Sequence, residues 1–318
     1  MRRVRRLPAA AAYGPSLALV AACVFFGSQN PRFWSGDNLS LILQQVMVVG
    51  TIAVGQTLII LTAGIDLSCG TVMALADVVM TKLAAEHGVP VPLAIGCGLG
   101  VATLFGLVNG FLVSRVSLPP FIVTLGTLNI AFAITQLYSQ AQTVTELPAA
   151  MTALGSTFRI GGTTVVYGVL VMLGCYGVAG FALRETAAGR HVYAAGNNPE
   201  AARLTGIATH RVLLGVYVVA GLLYGVAALL AVARTGVGDP SLGQTENLDA
   251  ITAVVLGGTS LFGGRGIMAN SLVGALIVGV FRNRLTLMGL TSDYQILITG
   301  ILVILAVTLD QLSHRRSR

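Results

Sequence analysis

Charge is what this sequence has least of. Only 10% of its 318 residues are Asp, Glu, Lys or Arg, where a soluble domain carries about 25%. With 55% hydrophobic residues and a mean hydropathy of +0.83, one or two water-soluble cores could not hide the apolar surface. Aromatic residues are also few, at 6%, and no strict apolar/polar alternation runs through the chain, which argues against a membrane β-barrel. The four cysteines, Cys23, Cys69, Cys97 and Cys175, sit in apolar stretches without metal-ligand spacing and read as small hydrophobic side chains. His87, His191, His210 and His314 are scattered through the loops, again without metal spacing. No Gly-x-x-x-x-Gly-Lys-Ser/Thr phosphate loop occurs, so the chain has no familiar means of binding ATP itself. The longest polar stretches, 139–162, 184–211 and 233–247, reach only about two dozen residues, too little for a soluble domain.

What remains is a lipid-embedded helical protein. A span needs ~20 mostly apolar residues, and ten candidates can be drawn: 13–28, 39–62, 67–82, 91–114, 121–138, 163–183, 212–232, 248–261, 267–281 and 294–309. Several are short, as tilted, broken or partly inserted helices would be. The fold class is therefore an all-α integral membrane protein, a polytopic bundle of about ten transmembrane helices in a single domain, 1–318. The net charge of +7 follows from topology rather than nucleic-acid binding. With ten spans, thirteen of the nineteen Lys and Arg residues fall on the side of both termini and six on the other, which predicts both termini in the cytoplasm. The basic start followed by apolar residues resembles a signal peptide, but an uncleaved first span is expected in a chain so hydrophobic throughout.

Glycine is abundant, with 39 residues. Gly106 and Gly110 form a small-x-x-x-small pair suited to close helix packing. Gly257, Gly258 and the run Gly263-Gly264-Arg265-Gly266 predict a tight turn or broken helix, which membranes tolerate only within protein or beside water.

The basic loop after the sixth span carries clear helix signals. Asn198 suits an N-cap, Pro199 the first helical position, Glu200 the positive helix start and Gly206 the C-terminal stop. A helix of about two turns lying outside the membrane is expected. It could be a lever for a partner protein or an ordinary amphipathic connector.

This loop closely resembles the coupling segment of ribose-type sugar permeases of the ABC transporter superfamily. The resemblance extends to Gly64-Ile65-Asp66-Leu67-Ser68-Cys69-Gly70, to Asn109-Gly110, to 119–127 beginning Pro-Pro-Phe-Ile-Val-Thr, and to 248–261 with Gly263-Gly264-Arg265-Gly266. It runs from about Asn38 to Asp310, and Cys69 stands where a small aliphatic residue is frequent. Such a resemblance implies a permease that pairs with a second copy or a related chain in the lipid bilayer of the cytoplasmic (inner) membrane of a prokaryote. It would receive a monosaccharide from an extracytoplasmic sugar-binding protein and couple to a cytoplasmic ABC ATPase. This chain would then hold no cofactor and be no enzyme; ATP and Mg would be bound by the partner. Gly189, Asn198, Pro199, Glu200, Ala201, Ala202, Arg203, Leu204 and Gly206 are expected to meet that ATPase. Asp66, Ser68, Asn109, Thr124, Thr127, Asn129, Gly257, Gly258 and Thr259 are expected along the translocation path.

Polar residues inside spans are costly and usually face the bundle interior, which adds Gln44, Gln45, Gln56, Gln136 and Asn270 as candidates, each with a helix–helix hydrogen bond as its plainer role. Asp66 could equally be an N-cap. Asp77 reads as the one carboxylate well inside a span, and it is the residue from which an ion-coupled secondary transporter would be argued. A membrane enzyme or a passive channel would need clustered reactive groups or no coupling helix.

Overall fold

The computed structural model describes residues 9–290 and eight further helical positions between 294 and 308. The tenth expected span, 294–309, and Asp310 fall largely outside the described residues. The chain runs α1 (Ala9–Gln29), α2 (Gly36–Leu61), α3 (Cys69–Ala85), α4 (Val91–Ser114), α5 (Pro120–Ser139), a hairpin of β1 (Thr157–Ile160) and β2 (Thr163–Val166), α6 (Tyr167–Glu185), α7 (Ala187–Asn197), α8 (Pro199–Leu204), α9 (Thr209–Thr235), α10 (Glu246–Leu256) and α11 (Met268–Leu287). Helices α2, α4, α5, α6 and α9 are long and apolar enough to cross a membrane. The protein is a polytopic helical bundle.

Local signals place the helix starts. Ser35 Oγ accepts the Asn38 amide at the head of α2, and prolines open α4 and α5, where a missing N–H costs nothing. Two expected boundaries move. The span at 163–183 starts only at Tyr167, because Gly161 takes φ +59° and turns Thr163–Val166 back onto Thr157–Ile160 as an antiparallel hairpin; its β-branched residues favour that strand. The span at 248–261 ends at Leu256, since Gly258 adopts φ +80°. At 11 residues α10 is about 16 Å long, too short to cross alone.

Helix α2 is the axis of the bundle. It is buried continuously from Val46 to Leu61 and packs on α9, α10 and α11. Helices α4 and α9 meet more closely still. A Cβ on Gly106 would strike the Tyr217 carbonyl, and one on Gly221 would lie 3.0 Å from Gly106 Cα. Backbone approach of this kind is what small residues permit where lipid leaves no hydrophobic drive between helices. Gly96 and Gly100, in the same helix, face open space instead.

Candidate functional site

The connection between α6 and α9 folds as two helices, where one was expected. Thr186 Oγ1 accepts the Gly189 amide at 3.2 Å and starts α7. The chain then re-caps: Asn198 Oδ1 accepts the Ala201 amide at 3.0 Å, Pro199 fills the first turn, and Glu200 sits at the positive helix start of α8. Gly206, at φ +88°, closes it. Residues 199–201 and 203–206 are exposed, Leu204 by 78%, and only Ala202 is buried. Glu200 and Arg203 form an exposed pair at 3.4 Å. A two-turn helix so bare of its own chain offers almost its whole circumference to another molecule.

Helix α7 is the opposite, an element wedged into the bundle. Gly196 lies so close to the Leu61 carbonyl, at the end of α2, that a Cβ there would collide with it and come within 2.8 Å of the Gly264 amide. That amide donates to the same Leu61 carbonyl at 2.9 Å. Gly263 and Gly264 take φ +80° and +68°, and a Cβ on Gly264 would lie 2.7 Å from Asn197 Cα. Tyr193 Oη donates to the Gly266 carbonyl at 2.9 Å; burial pushes its phenol above the ordinary range, which keeps the hydroxyl a donor. Thus α7, the end of α2 and the glycine-rich loop at 258–266 meet backbone to backbone.

Three residues beyond Leu61 begins the loop that brings four path candidates together. Asp66 Oδ1 accepts from the Ser68 amide at 2.8 Å and from Ser68 Oγ at 2.6 Å; its Oδ2 accepts from Tyr224 Oη at 3.3 Å. Asn109 Nδ2 donates to Ser68 Oγ at 3.0 Å, and Thr124 Oγ1 donates to the Ile65 carbonyl at 3.1 Å. Gln56 Nε2 donates to the Asp66 carbonyl and to Cys69 Sγ. Asp66 therefore organises an Asx-type turn ahead of α3, with Ser68 at the N-cap position. Around this turn Gln56 Oε1, Asn109 Oδ1 and Tyr217 Oη are buried with no hydrogen-bond partner among the described residues. Leaving such atoms unmade costs free energy, and groups poised to accept another molecule's hydrogen bonds would show this pattern.

The other path candidates lie elsewhere. Thr127 bonds back to Val123 within α5, and Asn129 is exposed and bonds to the Leu125 carbonyl. Gly257 packs on the Asn270 backbone, while Thr259 borders Gly266 in the loop that receives α7. Gly258 has only Pro15 of α1 near it, at 4.0 Å, so of these three only Thr259 borders the loop at the α7 junction, and none joins the Asp66 turn. Gln44 bonds Ser40 along α2, and Gln136 reaches the Pro240 carbonyl at 3.1 Å.

Asp77 is buried, and neither carboxylate oxygen has a hydrogen-bond partner among the described residues. A second buried carboxylate stands in the first turn of α10, not well inside a span. Asp249 of α10 is 3% exposed, and its Oδ2 accepts from Arg282 Nη1 of α11 at 2.7 Å. Arg234 at the end of α9, Glu246 and Gln45 border the same small cavity of about 20 Å³, at the end of the bundle away from α7. Arg234 and Arg282 look like loop charges in the sequence, because the Asp249 that pairs with Arg282 stands 33 positions away and no local pattern joins them.

A family model described as the permease component of branched-chain amino acid transport systems matches residues 38–307. Among curated proteins, the chain is 45% identical to a fructose import permease of Rhizobium meliloti, over 93% of this chain and 84% of that one. It is 37% identical to a ribose import permease of Bacillus subtilis, over 94% and 92%, and 31% identical to a xylose transport system permease of Escherichia coli, over 94% and 91%. No solved structure matches.

Proposed function

The chain belongs to the family of permease components of branched-chain-type transport systems, and on that premise we propose that it is the membrane subunit of a binding-protein-dependent ABC importer that carries a monosaccharide inward. The sugar assignment, against the amino acid in the family's description, rests on similarity to permeases for fructose, ribose and xylose. In this reading a separate cytoplasmic ATPase supplies ATP hydrolysis with its own Mg, an extracytoplasmic protein delivers the sugar, and a second permease copy completes the pathway. Both termini and α7–α8 lie in the cytoplasm of a prokaryote, as the arginine distribution favours.

The observation that carries this reading is the continuous backbone contact from α7 through Leu61 and Gly264 to the Asp66 turn. Movement of α8 on a closing ATPase dimer would shift α7. Because α7 meets its neighbours through glycines with no space to absorb the shift, α2 and the 258–266 loop must follow. The Asp66 turn would then rearrange, giving the buried acceptors of Gln56 and Asn109 to sugar hydroxyls. That is a two-state element biased by a ligand elsewhere. Asp77, buried with neither carboxylate oxygen hydrogen-bonded by the geometry of the described residues, is the observation that favours an ion-coupled transporter.

The test is uptake of labelled monosaccharides into proteoliposomes holding this chain, an ATPase subunit and a sugar-binding protein encoded beside it. Glu200→Ala with Arg203→Ala should leave thermal stability nearly unchanged, because exposed ion pairs contribute about 0–1 kcal/mol. It should cut ATP-driven uptake about tenfold or more, the factor that ~1.4 kcal/mol of lost docking energy gives. Uptake that persists without the ATPase and collapses with a protonophore would replace this reading by the ion-coupled one.

A further inference from the structure

Helices α6 and α9 make little direct contact and part to leave a groove of about 820 Å³, within the ~300–1,000 Å³ usual for small-molecule sites. Its walls are apolar: Cys175 and Val178 on one side, Val219 and Leu222 on the other, Leu58 of α2 behind. Two glycines in those walls differ in kind from the packing glycines of the bundle. A Cβ on Gly174 or Gly215 would meet nothing within 4 Å, whereas one on Gly106 or Gly221 would strike backbone. The small residues of the groove therefore make room that the described chain does not use.

One end of the groove is basic. His191 of α7 and Arg211 at the start of α9 line it, and Arg190 is exposed beside them. Nearby Arg184 is already paired with Glu185 at 3.2 Å. Among the described residues no carboxylate lines the groove. At the other flank Val178 and Phe181 are exposed by 72% and 66%, the surface a helix turns to lipid.

We propose that this groove holds one anionic phospholipid, with an acyl chain between α6 and α9 and the phosphate at Arg211 and His191. Basic pockets between membrane helices have this chemistry: the guanidinium gives a charge-assisted bond to phosphate and the apolar walls replace lipid neighbours. A second copy of this chain fits less well, because it would have to bring a carboxylate to Arg211, and the groove contributes none to a symmetric contact. Since α7 forms the end wall, the lipid sets how far α7 can swing from α6 and α9. The site goes beyond the transport reading and does not depend on it.

The test is lipid retention by the full chain, purified from nanodiscs containing equal phosphatidylglycerol and phosphatidylcholine and read by native mass spectrometry. The expected result is one retained phosphatidylglycerol in preference to phosphatidylcholine. Arg211→Gln should lower that preference about fivefold, the effect of one interfacial cation, and Gly215→Leu should fill the groove and abolish retention of both lipids. Both variants are first required to match the wild-type melting temperature; Arg211→Gln, being exposed, keeps the test open if Gly215→Leu does not fold. Equal retention of the two lipids, or no retained lipid in the wild type, overturns the proposal. So does a Gly215→Leu protein that keeps its phosphatidylglycerol but changes oligomeric state, which would make the groove an interface between copies.

Discussion

Replacing Gly196 by alanine probes the junction on which coupling depends. The new methyl would occupy the space of the Leu61 carbonyl and crowd the Gly264 amide that bonds to it. Alanine inside a helix gains up to about 1 kcal/mol over glycine. Against that stand about 1–3 kcal/mol for a buried carbonyl left without its donor and about 1–3 kcal/mol for overpacking against backbone that cannot rotate away. The balance is a loss of about 1–5 kcal/mol, which at roughly 2–4 °C per kcal/mol lowers the melting temperature by several degrees. Gly126→Ala is the matched control: it lies within α5 with nothing within 4 Å of its would-be Cβ and should melt at or above wild type. Thermal unfolding in detergent measures both, and hydrogen exchange at the Gly264 amide should accelerate in the Gly196 variant alone. If Gly196→Ala melts with the wild type and the Gly264 amide stays protected, the backbone contact between α7 and α2 is not what the geometry indicates, and the coupling route through it fails.

Asp66→Ala removes the acceptor of three hydrogen bonds, from the Ser68 amide, Ser68 Oγ and Tyr224 Oη. A loss of about 2–4 kcal/mol is expected at about 1 kcal/mol per bond, with Asp66→Asn, which keeps one acceptor oxygen, falling between; equal melting of all three proteins would show that the turn does not depend on this side chain. Arg282→Met strips Asp249 of the guanidinium at 2.7 Å. Since Arg282 is itself 36% exposed, a solvent-discounted cost of about 1–3 kcal/mol is expected, and adding Asp249→Leu should recover part of it by removing a buried charge that has lost this guanidinium. A double variant no more stable than Arg282→Met would contradict that account.

Solvent, fold class and helix caps were all legible in the residue order. Shortage of charge with 55% hydrophobic residues leaves only lipid as a stable surrounding, and the Asn198-Pro199-Glu200 run specifies a helix start from groups one to three residues apart, as α8 has it. The Gly106/Gly110 pair likewise announced a close helix contact, because small side chains four apart share one helix face. Which polar residues meet emerged only from the packing of the helices. Asp66 joins Tyr224 across 158 positions, Asn109 joins Ser68 across 41, and Asp249 joins Arg282 across 33. It also divided the path candidates, sending Asp66, Ser68, Asn109 and Thr124 to one buried turn, Gly257 to the α11 backbone and Thr259 to the loop that meets α7. The reason is physical. Propensity, capping and hydropathy act over a few residues and are written locally, whereas in lipid any polar group may be satisfied by whichever helix packing brings alongside, and a single sequence carries no local mark of that neighbour.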